Sequence, residues 1–351
     1  MEWSKARPAA RFDLATSNIL ACSVDDLPGA RDALTFSGSN ENGYPPLLDA
    51  IAARYGVGPA QVTTATGTSG ANFLVFAALL EPGDEVLVEQ PAYDPLLAAA
   101  RAFGARIVRF ERSFDDGYAL DPERLERAIT PRTRLIVVTS PHNPTGALAD
   151  GAALRAVGRL AEATGAHVLV DEVYLDAVDA ARRPAAALGD AFVTTSSLTK
   201  SYGLAGLRCG WALSSAATAE RLRRARDVVD GTGSIVAEGL GALAFGQLDR
   251  LIDRARQLLA VNAPIVRETL SSRPELEWVE PGGGTVAFPR IAGVGDATRF
   301  AERLLAERQT AVVPGRFFES PSHFRIGFGG QTAPLRAGLE ALSAALDARA
   351  F

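Results

Sequence analysis

The feature that most constrains this chain is a rhythm. Short apolar runs alternate with longer amphipathic ones. EVLVEQ (85–90), ARIVRF (105–110), RLIVVTS (134–140), AHVLVDE (166–172) and AFVTTSS (191–197) read as strands. They are too short for buried helices and rich in β-branched residues. Between them, PLLAAARAFG (95–104), DPERLERAI (121–129) and DGAALRAVGRLAEATG (150–165) carry helical periodicity. Asp121 suits an N-cap, with Pro122 at the first helical position. Near-continuous apolar strands separated by helices predict an α/β fold with a mostly parallel, doubly wound sheet covered on both faces.

The pattern changes after about residue 262. NAPIVRETL is expected to begin a helix, and ELEWVE, PGGGTVAFPRI, TAVVPG and HFRIGFG are expected to form short strands. The chain then ends in the helical PLRAGLEALSAALDARA. With 351 residues, the expected division is a large domain over 45–262 and a smaller α+β domain from 1–44 with 263–351.

Composition excludes several function classes. The net charge of −5 and the lack of a basic face argue against a nucleic-acid partner. The run RLRRAR (221–226) alternates with apolar residues and is expected on one helix face. No apolar run is long enough to span a membrane, and the N-terminus lacks the apolar core of a secretory signal. Cys22 and Cys209 are far apart, and three histidines show no ligand spacing, so neither a disulfide framework nor a metal site is expected. A cytoplasmic location fits this set.

The polar residues gather where each strand ends. Strand 85–88 runs into EQPAYDP, strand 134–140 into PHNPTG, strand 166–170 into DEVY, and strand 191–196 into SLTK. Open α/β sheets bind ligands outside the carboxyl ends of their strands. QVTTATGTSGANFLVFAALLEPGDE (61–85) reads as a strand end, a tight turn and a helix whose small first residues leave N–H groups free for a phosphate. Lys200 stands out because it follows an apolar strand and precedes the Gly-rich SYGLAGLR.

NPTG, DEVY and SxxK with an arginine eight residues after the lysine together resemble the fold-type I, pyridoxal-phosphate-dependent aminotransferases of class I/II, from about Gly43 to Arg325. The resemblance implies the cofactor pyridoxal 5′-phosphate, carried covalently by Lys200, whose amine also moves a proton at the substrate α-carbon. It implies that Asp171 holds the proton on the pyridine nitrogen. Asn143 and Tyr174 would bond the ring's 3′ oxygen, with Tyr174 counted among the catalytic residues and Asn143 also beside the substrate. Tyr93 would stack on the ring. Thr68, Ser69, Ser197 and Arg208 would hold the phosphate, and Arg325 the substrate carboxylate. LATSN (14–18) resembles the segment that lies over the substrate. His142 is expected to make a loop contact, Gly282–Gly284 a turn, and Arg316 is as readily solvated as turned to the pocket.

The implied activity is transfer of an amino group between an L-amino acid and a 2-oxo acid by a ping-pong mechanism, in a homodimer. Alternatives are a lyase or cyclase of the same fold, in the manner of capreomycidine-synthase-like enzymes, and a non-catalytic cofactor-binding regulator. One departure stands out. Members of the family place a tyrosine a few residues before the glycine matching Gly43, and it reaches the neighbouring subunit's phosphate. Here TFSGSNENG puts Gly38 at that position, with Phe36 the nearest aromatic, so Ser37, Ser39 or Asn40 is expected to substitute.

Overall fold

The structure is a computed structural model, and it describes residues 2–178 and 183–349. Its centre is a seven-stranded sheet: β1 Val62–Thr66, β2 Glu85–Gln90, β3 Arg106–Glu111, β4 Thr133–Thr139, β5 His167–Asp171, β6 Phe192–Ser197 and β7 Cys209–Leu213. The spatial order is β1-β7-β6-β5-β4-β2-β3. β3, β2, β4, β5 and β6 are mutually parallel. β7 runs antiparallel to both β6 and β1.

The side-chain period of two assigns alternate residues to opposite faces. Val86, Val88, Leu135, Val137, Leu169 and Val193 pack with helices Gly67–Leu79 and Asp94–Ala102. Leu87, Ile136, Val138, Val168 and Val170 pack with Pro122–Ala128 and Gly151–Thr164. Both faces are therefore dry, which is why the strands read as unbroken apolar runs. Asp121 caps its helix as expected, accepting the amide hydrogens of Glu123 and Arg124, and Pro122 is the first helical residue.

One expectation is corrected, and one strand was missed. The helix expected to begin at NAPIVRETL already starts at Leu248 and runs to Ser271, with Pro264 inside it. Proline normally ends a helix by removing a donor. Here the buried stripe of Leu251, Ile252, Ala255, Leu259, Ile265, Val266 and Leu270 continues past it, and tertiary burial overrides the local signal. The strand Cys209–Leu213 was not foreseen, because its CGWAL is short and follows a turn. The RLRRAR run lies on helix Ala216–Val229 as expected, although Arg226 is buried, donating to Thr64 at 2.6 Å.

The remainder combines very short strands with helices, among them Thr298–Arg308 and the expected C-terminal helix, Thr332–Asp347. Val286–Ala287, Phe324–Gly327 and Val313–Pro314 form an antiparallel sheet with Phe324–Gly327 in the middle. Phe12–Asp13 pairs in parallel with Thr310–Ala311, and Leu276–Glu277 pairs with Arg290–Ile291. The N-terminal segment is sewn down beyond its strand: Leu14 N–H donates to Ala311, and Gly327 N–H donates to Leu14. A side chain at 327 would collide with the Thr16 carbonyl, so only glycine lets the two backbones meet. Among the described residues, no helix is long and apolar enough to cross a membrane.

Candidate active site

The chain order turns back between β2 and β4: β3 lies on one side of β2, while β5 and β6 extend from the other side of β4. This is the switch point at which open parallel sheets bind ligands. A cavity of about 470 Å³ lies here, and all ten residues expected to form a site line its wall: Thr68, Ser69, Tyr93, Asn143, Asp171, Tyr174, Ser197, Lys200, Arg208 and Arg325.

Asp171 is the last residue of β5 and is buried. Its carboxylate accepts from Asn72 Nδ2 at 2.8 Å and from the Val173 amide at 3.2 Å. Burial raises its pKa, and those two hydrogen bonds together with the charge of Lys200 partly offset the rise. Asn72 is fixed in turn by Thr195, whose hydroxyl donates to Asn72 Oδ1 at 2.5 Å. Sequence reasoning missed Asn72. A lone amide on the apolar stripe of GANFLVFAALL was the available signal.

Lys200 follows β6. Its Nζ donates to Asn18 Oδ1 at 2.6 Å and to Ser17 Oγ at 3.1 Å. Tyr174 donates its phenol to the same Ser17 oxygen at 2.8 Å. The loosely matched LATSN thus ends directly on the lysine. Thr285 holds it there by donating to the Ser17 carbonyl at 2.7 Å.

A third group surrounds the start of helix Gly67–Leu79, whose first amides have no intrahelical partner. Thr68 donates to Ser197 Oγ at 2.8 Å. Arg208 has left-handed backbone geometry, φ 53°, and its guanidinium lies against Gly67. A Cβ at 67 would run into that guanidinium, so the glycine keeps the cradle open.

Arg325 lies on the central short strand, opposite Val313, and is 7% exposed. It donates to Asn143 Oδ1 at 2.7 Å and to the Ala15 carbonyl at 2.8 Å, while its Nε has no partner among the described residues. Burial lowers its pKa, opposed by Tyr174 and Tyr93. Asn143 therefore touches the expected carboxylate-binding arginine directly. It is steadied from behind by Thr139, whose Oγ1 accepts the Asn143 amide hydrogen and donates to Glu89 at 2.6 Å. Glu89 pairs at 2.9 Å with Arg112, both fully buried, a support that the sequence did not disclose. Burial raises the Tyr93 phenol to about 12, so it stays protonated. His142 makes loop contacts, to Thr145 and the Pro91 carbonyl, as expected. Gly282–Gly284 line a separate cavity, and Arg316 faces Glu302 outside the site.

The model of the family "Aminotransferase class I and II" matches residues 27–342. The chain belongs to this family. The capreomycidine synthase of Streptomyces vinaceus is 36% identical over 324 residues, covering 91% of this chain and 83% of that protein. The aspartate/prephenate aminotransferase of Thermus thermophilus is 29% identical over 340 residues, covering 95% and 85%. A PLP-dependent aminotransferase from Streptococcus suis superposes with a TM-score of 0.91 at 28% identity, covering 97% of this chain and 94% of that one. The protein is thus a fold-type I aminotransferase, and its cofactor is pyridoxal 5′-phosphate. The site fits that group. A helix start with Arg208, Ser197 and Thr68 suits a dianionic phosphate, and the buried carboxylate of Asp171 suits a protonated ring nitrogen.

Proposed function

We propose that this aminotransferase exchanges the amino group of an L-amino acid with a 2-oxo acid, and that the ten lining residues divide the work as the family resemblance implies. The observation that carries the reading is convergence: a lysine amine, a buried aspartate and a buried arginine whose Nε is unpartnered among the described residues line one cavity. When bound, the cofactor supplies an electron-poor ring that stabilises the negative charge left by the departing α-proton. Thr68, Ser69, Ser197 and Arg208 hold its phosphate, and Tyr93 covers its ring. Asp171 keeps the ring nitrogen protonated, which offsets the cost of burying that carboxylate. Asn143 and Tyr174 hold the ring's 3′ oxygen. Lys200 would hold the cofactor covalently, and its Nζ, once the incoming amine has displaced it, would take up the substrate's α-proton as a free amine. Arg325 grips the α-carboxylate in a planar, two-point contact.

A homodimer is part of this proposal. Leu34, Phe36, Val228 and Val229 are large apolar side chains left 48%, 86%, 88% and 56% exposed, which supports a partner surface. In the 35–43 loop, Asn40 already donates to the Gly233 carbonyl and Glu238, and Ser39 to Glu41. Ser37 is therefore the favoured short side chain for a partner's phosphate site.

The similarity to capreomycidine synthase favours a second reading, a cyclase or lyase built on the same lysine and aspartate. The test is turnover with and without an acceptor. A transaminase given one amino acid stops after a single equivalent per site and resumes when a 2-oxo acid is added. Repeated turnover without any 2-oxo acid would overturn the first reading in favour of the second.

A further inference from the structure

We propose that the cavity selects an amino acid whose side chain ends in a cation, with Asp94 as the recognising group. This inference rests on the amino-acid site described above and names its substrate class. In that reading, Lys200, Arg208, Asp171 and Arg325 are matched to the cofactor or to the substrate's α-carboxylate. The other charged side chains lining the cavity are Arg7, Asp13 and Asp94, one positive and two negative.

Arg7 is not available to an acid. Its side chain is 12% exposed, its NH2 donates to Asp13 Oδ2 at 2.6 Å, and its guanidinium lies 5.5 Å from the Trp3 ring centre. Asp13 is held from the other side by the Ala15 amide at 2.9 Å. An acidic side chain would have to displace a formed ion pair before it met Arg7. Asp94 is different. It is half-buried, it lines the cavity next to Tyr93, and it makes no hydrogen bond or ion pair among the described residues. With Arg7 paired to Asp13 and the other charges assigned to the cofactor or the α-carboxylate, Asp94 is the carboxylate left over, and a half-buried carboxylate attracts a cation beside it. Trp3, Pro95, Val313, Phe317 and Phe318 add apolar wall, which suits the methylene stem that carries a lysine- or arginine-type head group.

Asp94 has a competing role. It is the first residue of helix Asp94–Ala102, where an acid complements the helix dipole. The experiment separates the two. The enzyme loaded with pyridoxal phosphate is mixed with lysine, norleucine or glutamate, and the decay of the cofactor's visible absorption is followed. Norleucine carries lysine's four-carbon stem and lacks the terminal ammonium. Lysine is expected to react about tenfold or more faster than norleucine in kcat/KM, with glutamate slowest, the scale of one charge-assisted contact. Asp94→Asn is expected to erase most of the lysine-to-norleucine ratio, and Asp94→Glu to keep most of it. An Asp94→Asn protein that melts earlier with the ratio unchanged has lost only a helix start, and that overturns the inference. So does a wild type that prefers glutamate or treats lysine and norleucine alike, and in those cases the aminotransferase reading stands. A wild type that reacts with no amino acid overturns both.

Discussion

The cavity has two unlike walls. One is made of strand ends and a helix start: Thr68, Asn143, Asp171, Ser197 and Lys200. Each ends or follows a strand locked in a seven-stranded ladder, and Asp171 and Asn143 have supports of their own in Asn72 and Thr139. The other wall is made of the N-terminal segment and strands of two to four residues: Trp3, Arg7, Ala15–Asn18, Val313 and Arg325. It is held by single long-range bonds, such as Thr285 to the Ser17 carbonyl. In the reading proposed above, the first wall carries the groups that act on the cofactor. The second carries less regular structure and holds Arg325, which grips the α-carboxylate. In that reading, the comparison assigns the cofactor chemistry to the regular wall and the hold on the substrate's α-carboxylate to the other.

That division breaks first at Asp171. Asp171→Ala is expected to cost about 3 kcal/mol or more of transition-state stabilisation, the scale of removing a key electrostatic group. Turnover of the purified variant reads it directly, and a near-normal rate would dissolve the distinction between the walls. On the other wall, Arg325→Lys keeps the charge and loses the fork. Its expected cost is about 1.5–3 kcal/mol in kcat/KM for amino acids. Amines without a carboxylate should suffer far less, and equal losses would make Arg325 a structural residue.

A smaller effect is expected at the seam. Ser17 accepts from both Lys200 and Tyr174, so Ser17→Ala should change the rate by about 1 kcal/mol, the worth of an ordinary hydrogen bond. A loss as large as that of Asp171→Ala would mean that the N-terminal segment shares in the chemistry.

The walls also differed in how far they could be read. The first is written locally: an apolar strand, then NPTG, DEVY or SxxK, so that strand position and chemistry coincide in one stretch of sequence. Its supports were not visible, because Asn72, Glu89 and Arg112 act across the sheet and their partners lie 99, 50 and 23 residues away. The second wall was legible at Arg325 and, as a loose match, at LATSN (14–18). That Ser17 and Asn18 would meet Lys200 depends on contacts 183 and 182 residues apart. Arg7 and Asp13 look like ordinary surface charges in sequence, and Pro264 hid the true start of a long helix.

The smallest expected effect is on stability. Burial raises the pKa of Asp171 in the cofactor-free fold, so between its unfolded and folded values the native state binds more protons. Its contribution to stability is therefore most favourable at low pH and falls as pH rises from the ordinary carboxylate range through the raised value. Thermal melts of cofactor-free wild type and Asp171→Asn across that window should show the wild type losing ground to the variant as pH increases. A difference that moves the other way would mean that the carboxylate is better solvated than its surroundings suggest.

The central claim is that Lys200 is the point where both walls meet the cofactor. The direct measurement is to load the wild-type protein with pyridoxal phosphate, reduce it with borohydride, digest it and locate the modified peptide by mass. The account predicts a single cofactor adduct on Lys200, within SSLTKSYGLAGLR. An adduct on Lys5, or a protein that takes up the cofactor and carries none after reduction, would contradict it.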